Sequence, residues 1–144
     1  MSSLFGKRVF QTAVAFAVAA GSLCAVSPIA QAHHAFAAEF DAAQPIEVLG
    51  TLTKAKWVNP HSWIYLDVKG ADGTITNYGF EFGAPTALAG KGLTKATLKV
   101  GDQIRIKGYK SKNGGPFGYS VYLTLADGTT FQTGGAQDAP GAPQ

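Results

Sequence analysis

The feature that most constrains the fold of this chain is a series of short segments in which apolar and polar residues alternate. In residues 61–69, Ile64, Leu66 and Val68 occupy alternate positions. Successive side chains of a strand point to opposite faces of a sheet, so this pattern predicts a strand with one buried face. The Asp-Gly dipeptide at 72–73 is a hairpin turn sequence. The segment therefore predicts the first strand of a β-hairpin.

Six segments of this kind follow one another along the chain, separated by residues that favour turns. They span residues 45–58, 61–69, 74–82, 103–109, 119–126 and 129–131. Between the third and the fourth, Pro85 can begin a short helix and Gly90 can end it. An oligonucleotide/oligosaccharide-binding (OB) barrel places its helix at this point. We therefore expect a mainly all-β fold, a small OB-like antiparallel barrel of five or six strands with one short helical connection. An immunoglobulin-like β-sandwich is the alternative.

Residues 1–32 have the three parts of a secretory signal peptide. Lys7 and Arg8 form a basic start, an uncharged apolar run covers residues 13–26, and an Ala-Gln-Ala triplet follows at 30–32. The apolar run is shorter than the roughly 20 residues that a membrane span needs. We expect cleavage after residue 32, export to the periplasm or out of the cell, and no membrane span in the mature chain.

Removing 32 of the 144 residues would leave 112 residues, the size of one domain. We predict an extended N-terminal lead at 33–44, a β-barrel domain at 45–133 and a disordered tail, rich in Gly, Ala and Pro, at 134–144. The single cysteine, Cys24, would leave with the signal segment, so a disulfide framework is not expected. Of the 12 Lys and Arg residues, 10 would remain against 9 acidic residues, a balance that does not favour a nucleic-acid partner.

Two of the three histidines would then stand at the start of the mature protein. As its first residue, His33 would carry a free α-amine beside its imidazole, and these two nitrogens can chelate one metal ion. A second imidazole, from His61 or His34, would complete a three-nitrogen site known as a histidine brace. Such ligands favour copper(II), followed by zinc or nickel. The amine must lose its proton to bind, so we expect binding to weaken in acid.

His61 is the better candidate for the second imidazole because it begins a predicted strand, which would hold it rigidly. His34 is the poorer one, since adjacent side chains in an extended chain point to opposite sides. Asp67 shares the face of His61 and is a candidate to orient the ring by a hydrogen bond. The alternatives without function are solvated N-terminal histidines, a turn histidine at 61 and an exposed strand residue at 67.

The same predicted face carries Trp63 and Tyr65. If their rings are exposed, they can stack on a sugar or a peptide, as aromatic residues of OB barrels do. This gives a second hypothesis: a metal-independent module that binds a peptide, glycan or protein partner in the cell envelope. We recognise no Ser-His-Asp pattern, no paired carboxylates and no phosphate-binding loop, so we expect a binding protein rather than an enzyme. A redox enzyme that uses the brace is the third hypothesis.

Several stretches of the chain are also similar to those of a known protein family. They are HHAFAAEFD, WVNPHSWIYLDVK, NYGFEFGAPTAL, LKVGDQIRIKGYKSKNG and LADGTTF, which together run from His33 to about Phe131. The chain resembles the secreted bacterial domain-of-unknown-function family 6152, small β-barrel proteins that start His-His after signal cleavage. The resemblance implies a signal peptide and one β-rich domain, and it draws attention to His33, His34 and His61; it implies no activity. The family's usual helical connection is richer in Arg and Trp than residues 89–98 are here.

Overall fold

The computed structural model describes residues 36–136 and 138–140. Strands make up most of this part of the chain, which confirms the mainly all-β prediction, and the two helices are short. The elements in order are α1 (Phe36–Glu39), β1 (Phe40–Lys56), β2 (Ser62–Lys69), β3 (Ile75–Phe82), α2 (Pro85–Gly90), β4 (Gln103–Ser111), β5 (Phe117–Leu125) and β6 (Thr130–Gln132). Neither helix is long and apolar enough to cross a membrane. The predicted signal segment, His33 and His34 lie outside the described residues.

The six strands form one sheet that closes on itself. Their order is β3-β2-β1-β4-β5-β6, and all of these neighbours are antiparallel. A short parallel pairing between residues 79–81 of β3 and 117–119 of β5 joins the two ends. The result is a barrel-like ring of five strands, with α2 between β3 and β4 as expected for an OB-like fold. All strands of the described residues belong to this one sheet, so these residues do not form the sandwich of two facing sheets that was the alternative prediction.

Alternate residues of the strands fill the inside of the ring. Leu66, Phe80 and Ile106 are completely buried there, and Leu88 of α2 packs into the same cluster. Tyr65, next to Leu66, points to the other face of β2 and is only partly buried. The alternation in β2 therefore divides the strand as the sequence predicts, with an apolar inner face and a more polar outer face.

A second, smaller cluster packs on the outer face of β5. It contains Phe36, Phe40, Tyr119, Val121 and Ala139. The ring of Phe36 lies 5.2 Å from that of Tyr119 and 5.3 Å from that of Tyr109, both in edge contacts. Phe36 and Phe40 are four residues apart, so one helical turn brings both rings to the same side of the chain.

The two ends of the described chain meet at this cluster. The backbone N–H groups of Phe36 and Ala37 donate to the carboxylate of Asp138 at 3.0 and 3.2 Å. The phenol oxygen of Tyr119 accepts the N–H groups of Gly135 and Ala136, both at 2.7 Å. These contacts hold the segment after β6 against the segment before β1.

The structure differs from the predicted boundaries at both ends. Residues 36–39, expected in an extended lead, form a helical turn, and β1 begins at Phe40 rather than at Pro45. The described part of the predicted tail, residues 134–136 and 138–140, packs on the N-terminal segment. The physical reason is the outer cluster, which buries apolar groups from both ends of the chain on one face of the sheet.

Candidate functional site

The outer face of β2 and β3 brings His61 and Glu81 together. Trp63 of β2 pairs with Glu81 of β3, and His61 stands two residues before Trp63 on the same face. His61 and Glu81 are therefore diagonal neighbours across the two strands, within reach of each other's side chains. The Nδ1 atom of His61 contacts the Oε1 atom of Glu81.

Both side chains of this contact are largely shielded from water. Glu81 is only 7% exposed, although it stands on the outer face of the sheet, and the side chain of His61 is 22% exposed. A carboxylate removed from water needs a hydrogen-bond donor, and the imidazole supplies one. With Nδ1 used in this way, Nε2 is the ring nitrogen that can bind a ligand.

Tyr119 connects this pair to the cluster at the chain ends. In the β3–β5 pairing, Tyr119 lies beside Glu81. Burial raises the pKa of the Tyr119 phenol, hydrogen bonds from the N–H groups of Ala136 and Gly135 oppose the rise, and the charges of Glu81 and Asp138 add to it. The phenol is therefore neutral at physiological pH. Phe36, which packs on Tyr119, is thus separated from Glu81 by one side chain.

Asp67, predicted to orient His61, has a different partner in the structure. Asp67 pairs with Asn77 in the β2–β3 ladder, and the amide of Asn77 donates to its carboxylate at 2.7 Å. The same amide lies 3.1 Å from the hydroxyl of Thr53. Asp67 thus belongs to a polar group farther along the same face, and Glu81 is the carboxylate that contacts His61.

Sequence reasoning did not select Glu81, because its place opposite Trp63 depends on the length of the hairpin loop. A two-residue loop at Asp72-Gly73 would place Glu81 opposite Ile64. In the structure the N–H of Gly70 donates to the carbonyl of Thr74, so the loop has three residues, 71–73, and Glu81 lies opposite Trp63. Asp67 was predicted instead because it shares a strand with His61 and alternates onto the same face.

Trp63 and Tyr65, predicted as a ligand-binding face, stand next to each other on this outer face and are both partly exposed. The ring of Trp63 makes an edge contact with Phe117 of β5, with 6.4 Å between centroids. The Nζ atoms of Lys54 and Lys56 lie 5.9 and 5.5 Å from the centre of the Tyr65 ring. The predicted aromatic pair is thus part of a larger surface formed by four strands.

The metal ligands proposed from the sequence are only partly within the described residues. His61 is among them, while His33 and His34 are not. Between residues 36 and 140, leaving out 137, no three His, Cys, Asp or Glu side chains come together in a way that could hold a metal ion. His61 and Glu81 therefore form a pair, and a metal site here requires a further ligand from elsewhere in the chain.

A family model described as a family of unknown function, DUF6152, matches residues 19–120. The match covers more than half of the chain and includes His33, His34, His61 and Glu81. No curated protein and no solved structure matches the chain. The comparison therefore gives the chain a family and leaves its activity to be argued from the site.

Proposed function

We propose that this chain, which belongs to the family of unknown function DUF6152, is an exported binding protein that holds one divalent transition metal ion, copper(II) above all. The ligands are the α-amine and ring of His33, as the first residue of the mature protein, and the Nε2 atom of His61. Zinc and nickel are the next candidates, because nitrogen ligands suit them as well. The observation that carries the proposal is the contact between His61 and buried Glu81.

That contact is the arrangement by which proteins prepare a histidine for a metal. A carboxylate that accepts the Nδ1 proton fixes the tautomer and the orientation of the ring, and it makes Nε2 a better electron donor. Glu81 is well suited to this because it is held on a strand and is almost fully buried.

Chain length supports His33 as the other ligand. His33 precedes Phe36 by three residues, which can span at most about 11 Å. Phe36 is anchored, since its ring packs on Tyr119 and its N–H binds Asp138. Tyr119 stands beside Glu81, which contacts His61. These contacts, from Phe36 to Tyr119, Glu81 and His61, support the proposal that the start of the mature chain reaches the His61 ring.

Composition favours copper(II) over copper(I). The proposed mature chain, from residue 33 onward, contains neither cysteine nor methionine. Those are the soft ligands that select copper(I), whereas imidazole and amine nitrogens suit copper(II). Export by cleavage after residue 32 is part of the proposal, because only cleavage at that point frees the α-amine of His33.

The test uses protein that has been exported and processed by cells, with its first residue determined by mass spectrometry. Calorimetry should show one tight copper(II) site, and electron paramagnetic resonance should show nitrogen ligands. We expect Glu81→Gln to weaken binding about 10- to 100-fold, the usual effect of removing a residue that orients a ligand. His61→Ala should weaken it further, because a ligand is lost.

Two controls make the result specific. Asp67→Asn changes a carboxylate of the same face that binds Asn77 and not His61, so copper affinity should stay as in the wild type. An alanine inserted before His33 keeps all imidazoles but moves the α-amine, so it should abolish the tight site. A mature start other than His33, or an affinity unchanged by His61→Ala in folded protein, would contradict the proposal.

A further inference from the structure

Next to His61, the outer face of the ring carries a surface of different chemistry, which we call the lysine–aromatic surface. It is formed by Lys54, Lys56, Trp63, Tyr65 and Phe117. Lys56 pairs with Trp63 and Lys54 with Tyr65 between β1 and β2. Tyr65 pairs with Gly79 of β3, and Gly79 pairs with Phe117 of β5. The five side chains are thus brought together by the pairing of four strands.

Gly79 allows the aromatic part of this surface to be continuous. A Cβ atom at this position would lie 3.0 Å from the ring of Phe117 and 3.2 Å from the ring of Tyr65. Both distances are shorter than ordinary van der Waals contact, so a side chain here would push the two rings apart. With glycine, Tyr65 and Phe117 approach each other over β3, and Trp63 contacts the edge of Phe117.

Lys54 and Lys56 give the surface positive charge, and the nearby carboxylate of Glu81, opposite Trp63, is buried and contacts His61. Lys54 and Lys56 are both exposed, and both approach the same Tyr65 ring. Among the described residues, the ion pairs are His61–Glu81, Arg105–Glu47 and Lys107–Glu47, so neither lysine is paired with a carboxylate. Asp67, the acidic residue beyond Tyr65, is bound by Asn77. Two ammonium groups beside exposed rings favour a ligand that is both flat and anionic.

We propose that the lysine–aromatic surface binds an acidic polysaccharide, with sugar rings packed on Tyr65, Trp63 and Phe117 and carboxylates bound by Lys54 and Lys56. The lysines leave the Tyr65 ring and turn to the carboxylates, which frees the ring face for a sugar. OB-like barrels bind chains of this kind on the same face of β2 and β3. This site shares no residue with the proposed metal site and does not rest on it.

Strand closure favours a polysaccharide over an acidic peptide. Extended peptides are commonly bound by adding a strand to a free sheet edge. In this part of the ring β2 is paired with β1 and β3, and β3 is paired with β2 and β5. The edge of β3 beside the rings of Tyr65 and Phe117 is closed by the pairing of residues 79–81 with β5, so binding at this point must use ring faces and charges.

The experiment is an isothermal calorimetric titration of the folded protein with a galacturonate hexamer. A chelator is present throughout. We expect saturable binding that weakens as salt is added, because charged groups at the surface are screened. The double variant Lys54→Gln/Lys56→Gln should bind at least about tenfold more weakly, and so should Trp63→Ala. Lys95→Gln, which removes an exposed lysine of the α2–β4 connection, should bind as the wild type does.

Two further ligands separate the possible outcomes. A neutral glucose hexamer should bind much more weakly than the galacturonate hexamer, and hexaglutamate should not compete with it. Equal binding of hexaglutamate would show a site for acidic peptides and overturn the proposal. Binding that is absent, or unchanged in the lysine double variant, would also overturn it. Because the chelator removes metal ions, none of these results depends on the copper site.

Discussion

Among the described glycines, Gly108 has the least room for a side chain, because two paired strands lie very close together there. The register between β4 and β5 shifts between Lys107 and Gly108. A Cβ atom on Gly108 would overlap the carbonyl oxygen of Tyr119, and it would lie 3.2 Å from the Cα atom of Ser120. These are backbone atoms of a paired strand, so they cannot rotate away as a side chain would.

We predict that Gly108→Ala lowers the free energy of unfolding by about 3 kcal/mol or more, the upper range for overpacking. The matched control is Gly90→Ala at the end of α2, where a Cβ atom would meet nothing within 4 Å. That change should leave stability within about 1 kcal/mol of the wild type. The free energy of unfolding of each variant is measured by urea denaturation, monitored by tryptophan fluorescence. Equal stability of the two variants would contradict the prediction.

The candidate site could be predicted from the sequence only in part, and the residues show why. His61, Trp63 and Tyr65 were assigned to one face because a strand alternates, and alternation is a local rule. Glu81 was missed because its meeting with His61 depends on the register between two strands. Its burial depends further on Tyr119, which a distant strand brings beside it. Local pattern therefore identifies a face, and tertiary pairing decides which residues on that face interact.

At the scale of elements, the contact between α1 and the segment after β6 is the one we expect to matter most for function. Asp138 accepts two N–H groups at the start of α1, where the first backbone donors of a helix have no partner within the helix. Asp138 therefore holds the end of the chain to the residues that follow the proposed metal ligand His33.

We predict that Asp138→Ala lowers the free energy of unfolding by about 1 kcal/mol, which is typical of the loss of a side chain that caps the N-terminus of a helix. The same change should expose the amides of Phe36 and Ala37 to hydrogen exchange. Asp127→Ala is the control, since Asp127 accepts the N–H of Thr129 within its own turn. That variant should leave the exchange of residues 36 and 37 unchanged. Nuclear magnetic resonance detects the difference, and similar exchange in both variants would show that Asp138 does not hold α1.

The elements themselves were well predicted wherever the signal was local. Residues 61–69 were expected as a strand and form one from Ser62, and Pro85 and Gly90 bound α2 as predicted. The structure of the two ends of the described chain was not predicted. It depends on contacts such as that between Phe36 and Asp138, which are 102 positions apart. Gly, Ala and Pro in residues 134–144 favour disorder by composition, and no local pattern shows the apolar cluster onto which Ala139 packs.

At the scale of the whole molecule, the two apolar clusters are expected to differ in stability. The inner cluster is enclosed by five strands whose backbone groups bond to each other around the ring. The outer cluster joins the chain ends to one face of β5 and is smaller. The outer cluster contains no residue of β2 or β3, so its opening leaves the pairing of these two strands in place, whereas opening the inner cluster removes the core that the ring strands share.

We therefore predict two levels of protection in native-state hydrogen exchange. Phe36→Ala, in the outer cluster, should raise exchange near the chain ends and leave the amides of β2 and β3 protected. Ile106→Ala, at a completely buried inner position, should lower the free energy of unfolding by about 2–5 kcal/mol and raise exchange in every strand of the ring. If Phe36→Ala raised exchange in β2 as much as near the ends, the two clusters would form one cooperative unit. In that case the anchor of the N-terminal segment would be as stable as the ring, and no local opening could release the proposed metal ligand His33 from its position.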